Sequence, residues 1–153
     1  MSERIETAAL RDFSVSLCRA AGLSAGDAAL LTDSILFAEC RGVTSHGLLR
    51  LPQYIARLRS GATASNVPMP FTMESGGTAR LDAQNGLGQL AGRKASDKAE
   101  ELAAEYGVSF VAVANSNHFG TGAWYAIPAA RRGFFAFNIS SAASALAPHG
   151  AAQ

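Results

Sequence analysis

The sequence predicts an α/β protein in which a helical N-terminal part is followed by an α/β layer. Three observations predict it. Apolar residues recur at helical spacing from Leu10 to Leu58. From Thr78 onward, strand-like runs alternate with helical stretches. The 153 residues are 48% hydrophobic and 16% charged, enough for one packed domain and unlike a disordered chain. The alanine-rich composition also favours helices over an all-β fold.

Leu10, Phe13 and Leu17, with Ala20 and Ala21, form one apolar stripe that Gly22 ends. Ser24 is a suitable N-cap with Asp27 three residues on. Ala28, Leu31, Ile35 and Ala38 form the next stripe, closed by Arg41 and Gly42. A third helix holds Leu51, Ile55 and Leu58 and stops at Gly61. Pro52 is tolerated only in a first turn, so this helix starts near Leu49–Leu51, with His46 in the turn before it. Residues 62–77, with Pro68, Pro70 and Gly76-Gly77, read as a connection. Thr78–Ala83 reads as a strand, Gln89–Tyr106 as a helix and Val108–Ala114 as a buried strand. A polar loop, Asn115–Gly122, leads to a helix ending at Arg132, and Phe134–Ile139 reads as a further strand. The domain division expected is residues 1–70, helical, and 71–153, the start of the α/β domain.

A net charge of +1 supplies no field for nucleic acid or an anionic membrane. The first residues lack a signal-peptide pattern, so a cytoplasmic protein is expected. Cys18 and Cys40 are too far apart for a thiolate zinc site or a disulfide framework, and read as buried thiols in a reducing compartment. No charged residue follows Arg132. Asn138, Pro148 and His149 make that tail a poor membrane span, so it reads as leading into more sheet, and the chain as a fragment.

Three constellations could carry chemistry. In Ser45-His46-Gly47 with Arg50 and Tyr54, a helical turn would align His46, Arg50 and Tyr54 at i, i+4 and i+8. Arginine can grip a carboxylate with two hydrogen bonds while histidine passes a proton near neutral pH, which suits a 2-oxo or 2-hydroxy acid. The same residues also fit a simple helix cap with a surface histidine and arginine. The loop Asn115–Gly122 follows a strand and opens a helix, where ligands often bind and free amides meet anionic oxygens; it equally fits an ordinary turn. Gly86-Leu87-Gly88-Gln89-Leu90-Ala91 matches G-x-G-x-x-A. However, Arg80 and Asp82 interrupt the strand before it, and Val108–Asn115 lacks the acid a dinucleotide site needs. Turn glycines and close helix packing explain it better. His46, His118 and His149 lack metal-ligand spacing, so no metal site is expected.

Four features together resemble the malate/L-lactate dehydrogenase family, which has no Rossmann fold and includes ureidoglycolate dehydrogenase, 2,3-diketo-L-gulonate reductase and Δ1-piperideine-2-carboxylate reductase. They are Arg41-Gly42-Val43-Thr44-Ser45-His46-Gly47 with Arg50 and Tyr54; Asp82 with Asn85-Gly86-Leu87-Gly88-Gln89; Asn115-Ser116-Asn117-His118-Phe119-Gly120; and Ala147-Pro148-His149-Gly150. The resemblance covers essentially the whole chain, and implies an incomplete α/β layer of that family's fold, since family chains are longer. It implies hydride transfer between NAD or NADP and a small 2-hydroxy, 2-oxo or 2-imino acid. By position, His46 matches the proton donor, Ser45 the residue orienting it, and Arg50 the carboxylate grip, with Tyr54 beside the substrate. His118, Phe119, Gly120, Thr121 and Gly122 match a segment lining the cofactor, and His118 is an acid/base in some relatives. A homodimer is implied. Ser140-Ser141 departs from the Thr-Asn that relatives tend to carry. A catalytically inactive fragment that only binds or associates is the alternative.

Overall fold

The computed structural model describes residues 5–141. Helix α1 spans Thr7–Ala20 and α2 spans Ala25–Glu39. Ser24 caps α2 by accepting from the Asp27 amide at 3.1 Å. Asn66 ties the α1–α2 turn to the later connection: its side chain donates to the Gly22 carbonyl at 2.8 Å and accepts from the Ser24 amide at 2.9 Å. Helix α2 is central. Ala28, Leu31, Ser34, Ile35 and Ala38 are all buried, around more than one face, because it packs against α1, the following turns and two later helices. Two short 3-10 turns, Thr44–His46 and Leu48–Arg50, lead into α3, Leu51–Arg59.

The sheet has three strands in the order β1-β2-β3. Strand β1, Phe71–Ser75, pairs antiparallel with β2, Thr78–Asp82. Helix α4, Gly88–Tyr106, crosses to β3, Phe110–Ala114, which runs parallel to β2 with Asp82 opposite Ala114. Helix α5, Ala123–Arg131, follows. Ala79 and Leu81 of β2 are buried and pack with α4, as period-two alternation requires. One core gathers Leu23, Leu31, Ile35, Tyr54, Leu58 and Leu87 among the helices. A second, under the sheet, holds Met69, Leu81, Ala83, Ala91 and Ala95, and Leu90 packs against both. Among the described residues no helix is long and apolar enough to cross a membrane.

Four expectations are corrected. The 62–77 connection contains β1, an exposed strand whose sequence alternates weakly. The available signal was Gly76-Gly77 between two short runs, a hairpin turn in which Gly76 takes a φ of 53°. Strand β3 is not buried: Phe110 is 65% exposed, because nothing among the described residues covers that side. Phe134–Ile139 forms no strand here, and Phe135, Phe137 and Ile139 lie exposed. Cys18 is buried as expected, but Cys40 is exposed at the end of α2. The Ala147–Gly150 feature lies outside the described residues.

Candidate active site

The site forms at the carboxyl ends of the parallel strands β2 and β3. Asp82 accepts from the Gln84 amide and from the Asn115 side chain, both at 2.9 Å, and these two donors hold its carboxyl below the usual range. Asn117 donates to the carbonyls of Asn85 at 3.0 Å and Gly86 at 2.9 Å. Gln84, Asn85 and Asn115 all adopt positive φ, a backbone form that asparagine tolerates better than most residues. The two loops are thereby stitched together. Gly88 then lets α4 start directly beneath the second loop. A Cβ there would lie 2.6 Å from the His118 carbonyl oxygen and closer still to that of Asn117. The glycine pattern that mimics a dinucleotide fingerprint is therefore a packing feature.

The loop delivers His118 to the helical part. Its Nδ1 lies 2.7 Å from the Tyr54 hydroxyl, and Tyr54 accepts from the side-chain amide of Gln89 at 2.7 Å. Gln89 is fully buried and Tyr54 nearly so. Burial pushes the Tyr54 phenol above its ordinary pKa, so it stays protonated. The His46 and His118 rings stack with centroids 5.2 Å apart. Partial burial, then the charges of Arg50 and His46, hold His118 below the ordinary imidazole value. Ser45 Oγ is 3.0 Å from His46 Nδ1. Gly47 breaks the helical turn, with ψ −143°, so His46, Arg50 and Tyr54 do not share one continuous helix face. Arg50 instead reaches back: its Nε donates to the Ser45 carbonyl at 2.8 Å and a terminal nitrogen donates to Gln53 at 3.0 Å. Glu39 fixes the same turn by accepting from the Leu48 amide at 2.9 Å.

His118 stands between two spaces. A pocket of about 260 Å³ is lined by Arg50, Gln53, Tyr54, Arg57, Thr63, Leu87, Asn117 and His118, with two cations and no acid. A larger cleft of about 1060 Å³ is lined by His46, Gly88, Gly92, His118–Gly122 and Asn138–Ser141, among others. Its walls are rich in bare backbone. The Thr121 hydroxyl is buried without a partner among the described residues. An orphan polar atom beside glycine backbone suits a flat polar group such as a nicotinamide amide.

A family model for malate/L-lactate dehydrogenase matches residues 5–153. This chain belongs to that family. It is 33% identical to malate dehydrogenase from Pyrococcus abyssi over 98% of its own length and 41% of the relative's. It is 34% identical to (2R)-3-sulfolactate dehydrogenase (NADP(+)) from Chromohalobacter salexigens, over 98% of this chain and 45% of that one. The fold superposes on malate dehydrogenase from Pyrococcus horikoshii OT3 with a TM-score of 0.83 and 32% identity, covering 86% of this chain and 38% of that one. The chain thus spans less than half the length of these relatives.

Of the residues singled out for this family from sequence, Ser45, His46, Arg50, Tyr54 and His118 come together. Gly120, Thr121 and Gly122 line the cleft, and Phe119 also lines it while stacking on Tyr125 at 5.4 Å. The Tyr54 hydroxyl is taken up by Gln89 and His118. Three participants were not singled out. Arg57 sits seven residues after Arg50, two helical turns on, a spacing that was legible. Asn117 and Gln89 stand within the longer runs Asn115–Gly120 and Asn85–Gln89. A polar residue opening the apolar stripe of α4 was the available signal for Gln89. No group of three His, Cys, Asp or Glu among the described residues could hold a metal ion.

Proposed function

We propose that the chain carries the proton-transfer and carboxylate-binding portion of an oxidoreductase acting on a small 2-hydroxy, 2-oxo or 2-imino acid with NAD or NADP. One observation carries the reading: His118, stacked on His46, stands in the wall shared by a small cationic pocket and a large cleft. Arg50 grips the substrate carboxylate in the pocket, with the Arg57 charge beside it. His46 passes a proton to or from the substrate oxygen or nitrogen, oriented by Ser45, and His118 faces the same atom. His118, Phe119, Gly120, Thr121 and Gly122 hold the cofactor, which when bound supplies or accepts the hydride. The NADP-linked name of the sulfolactate relative supports the cofactor class.

Trp124, the single tryptophan, opens α5 just beyond this segment, so it reports on the cleft. Titration with NADH or NADPH is expected to give saturable energy transfer from Trp124, lost in His118→Ala. Absence of transfer with both nucleotides would remove the cofactor assignment from this chain.

A second reading is association without turnover. It is favoured by the exposed Phe110, Phe135, Phe137 and Ile139, and by the free edge of β3 among the described residues. The occupant is a second copy of the chain. Light scattering is expected to show a dimer or larger species at high concentration; a monomer throughout would sink this reading.

A further inference from the structure

We infer that Gln89 is a positioning residue that, through the Tyr54 hydroxyl, holds His118 neutral with its proton on Nε2, so that His118 donates a hydrogen bond to the substrate and leaves proton transfer to His46.

The inference follows from donor and acceptor chemistry. The Gln89 side-chain nitrogen has only protons to offer, and it lies 2.7 Å from the Tyr54 oxygen. With that oxygen already accepting, the phenol directs its own proton to His118 Nδ1, 2.7 Å away. The Gly120 amide points to the same Nδ1 at 3.4 Å, a weak second donor. Two donors aimed at one ring nitrogen require it to be unprotonated, which places the single proton of the neutral ring on Nε2. The alternative setting of the Gln89 amide would bury both N–H groups with no acceptor among the described residues. The present setting pairs one of those N–H groups with Tyr54 and leaves the carbonyl oxygen, Oε1, without a partner in its place. An unpaired buried carbonyl is the less costly of the two.

The charged surroundings act in the same direction. His118 is faced by His46 and Arg50 from the two 3-10 turns, by Tyr54 and Arg57 from α3, and by Gln89 from α4; none is acidic. A neutral imidazole whose Nε2 already carries the proton is no base at that nitrogen. It can donate a hydrogen bond to a developing negative oxygen, as an oxyanion-stabilising group does. The Nδ1 of His46 meets the Ser45 hydroxyl, a group that can either donate or accept.

The test is nitrogen NMR of the imidazoles in the labelled chain, which has three histidines. The His118 signals are assigned by their loss in His118→Gln. Neutral His118 is expected to carry its proton on Nε2, with Nδ1 at the position of a hydrogen-bond acceptor. Gln89→Glu offers a carboxylate that accepts the Tyr54 proton, so the phenol oxygen accepts from Nδ1–H instead. The protonation midpoint of His118 should then rise by about one pH unit or more. Combining Gln89→Glu with Tyr54→Phe should abolish most of that rise. A proton found on Nδ1 in the wild type, or a rise that survives in the double variant, would overturn the proposal. If Gln89→Glu does not fold, Tyr54→Phe alone decides, because the acceptor signature of His118 Nδ1 must then weaken to that of the single long Gly120 contact, and an unchanged signal would overturn the proposal. The inference deepens the oxidoreductase reading. The spectrum reports the ring itself and needs no turnover, so failure here is distinguishable from failure of that reading.

Discussion

Gly88→Ala is expected to destabilise the protein by about 1–3 kcal/mol or more and to displace the loop that carries His118. The new methyl would meet two backbone carbonyl oxygens, those of Asn117 and His118, rather than the end of a flexible side chain. Neither carbonyl can rotate away alone, because Asn117 is anchored to Asn85 and Gly86. Alanine's better helix propensity, worth up to about 1 kcal/mol, acts in the opposite direction, but Gly88 opens α4, where it counts for little. Gly26 of α2 is the control: nothing lies within 4 Å of a Cβ built there. Gly26→Ala should therefore be neutral or slightly stabilising. Denaturation midpoints for the two variants, with the Trp124 spectrum as a loop reporter, decide the matter. Equal stabilities would refute the packing role of Gly88.

The fold was legible where local chemistry decides. Ser24 capping α2, Gly22 stopping α1 and Pro52 setting the start of α3 all follow from short-range rules, and all are observed. It was less legible where an element depends on neighbours. Strand β1 is stabilised by pairing with β2 rather than by an apolar face of its own, so its sequence reads as loop. The apolar runs in β3 and at Phe134–Ile139 indicate surfaces that want covering, but sequence cannot say that the cover is absent among the described residues. The same division holds in the site. Ser45 and His46 are adjacent in sequence, and their contact was foreseeable. Tyr54 and His118 are 64 residues apart, and their hydrogen bond exists only because Gly88 admits the loop. Gln89 was hidden for a related reason: its role is set by what α3 and the loop bring to it.

His46→Ala is expected to lower turnover of the active holoenzyme by about 10²-fold or more while leaving cofactor binding nearly unchanged. Two imidazoles stacked 5.2 Å apart repel when both are charged, so the doubly charged pair is disfavoured. His118 is the one disfavoured as a cation, because it is partly buried beside Arg50 and its Nδ1 is already supplied with a proton by Tyr54. Among the described residues His46 is held by the Ser45 hydroxyl, which can donate or accept and so tolerates either protonation state of the ring. Removing His46 leaves, among the described residues that line the cleft, His118 as the other imidazole, and its Nδ1 is the one facing the Tyr54 hydroxyl. Arg50→Ala should behave differently. In the proposed role, Arg50 contacts the substrate carboxylate before and during the reaction, so KM should rise more than kcat falls. Steady-state kinetics on the two variants separate these roles. Near-normal kcat in His46→Ala would mean that the proton travels through Tyr54 and His118 instead, and would reverse the division of labour between the two histidines.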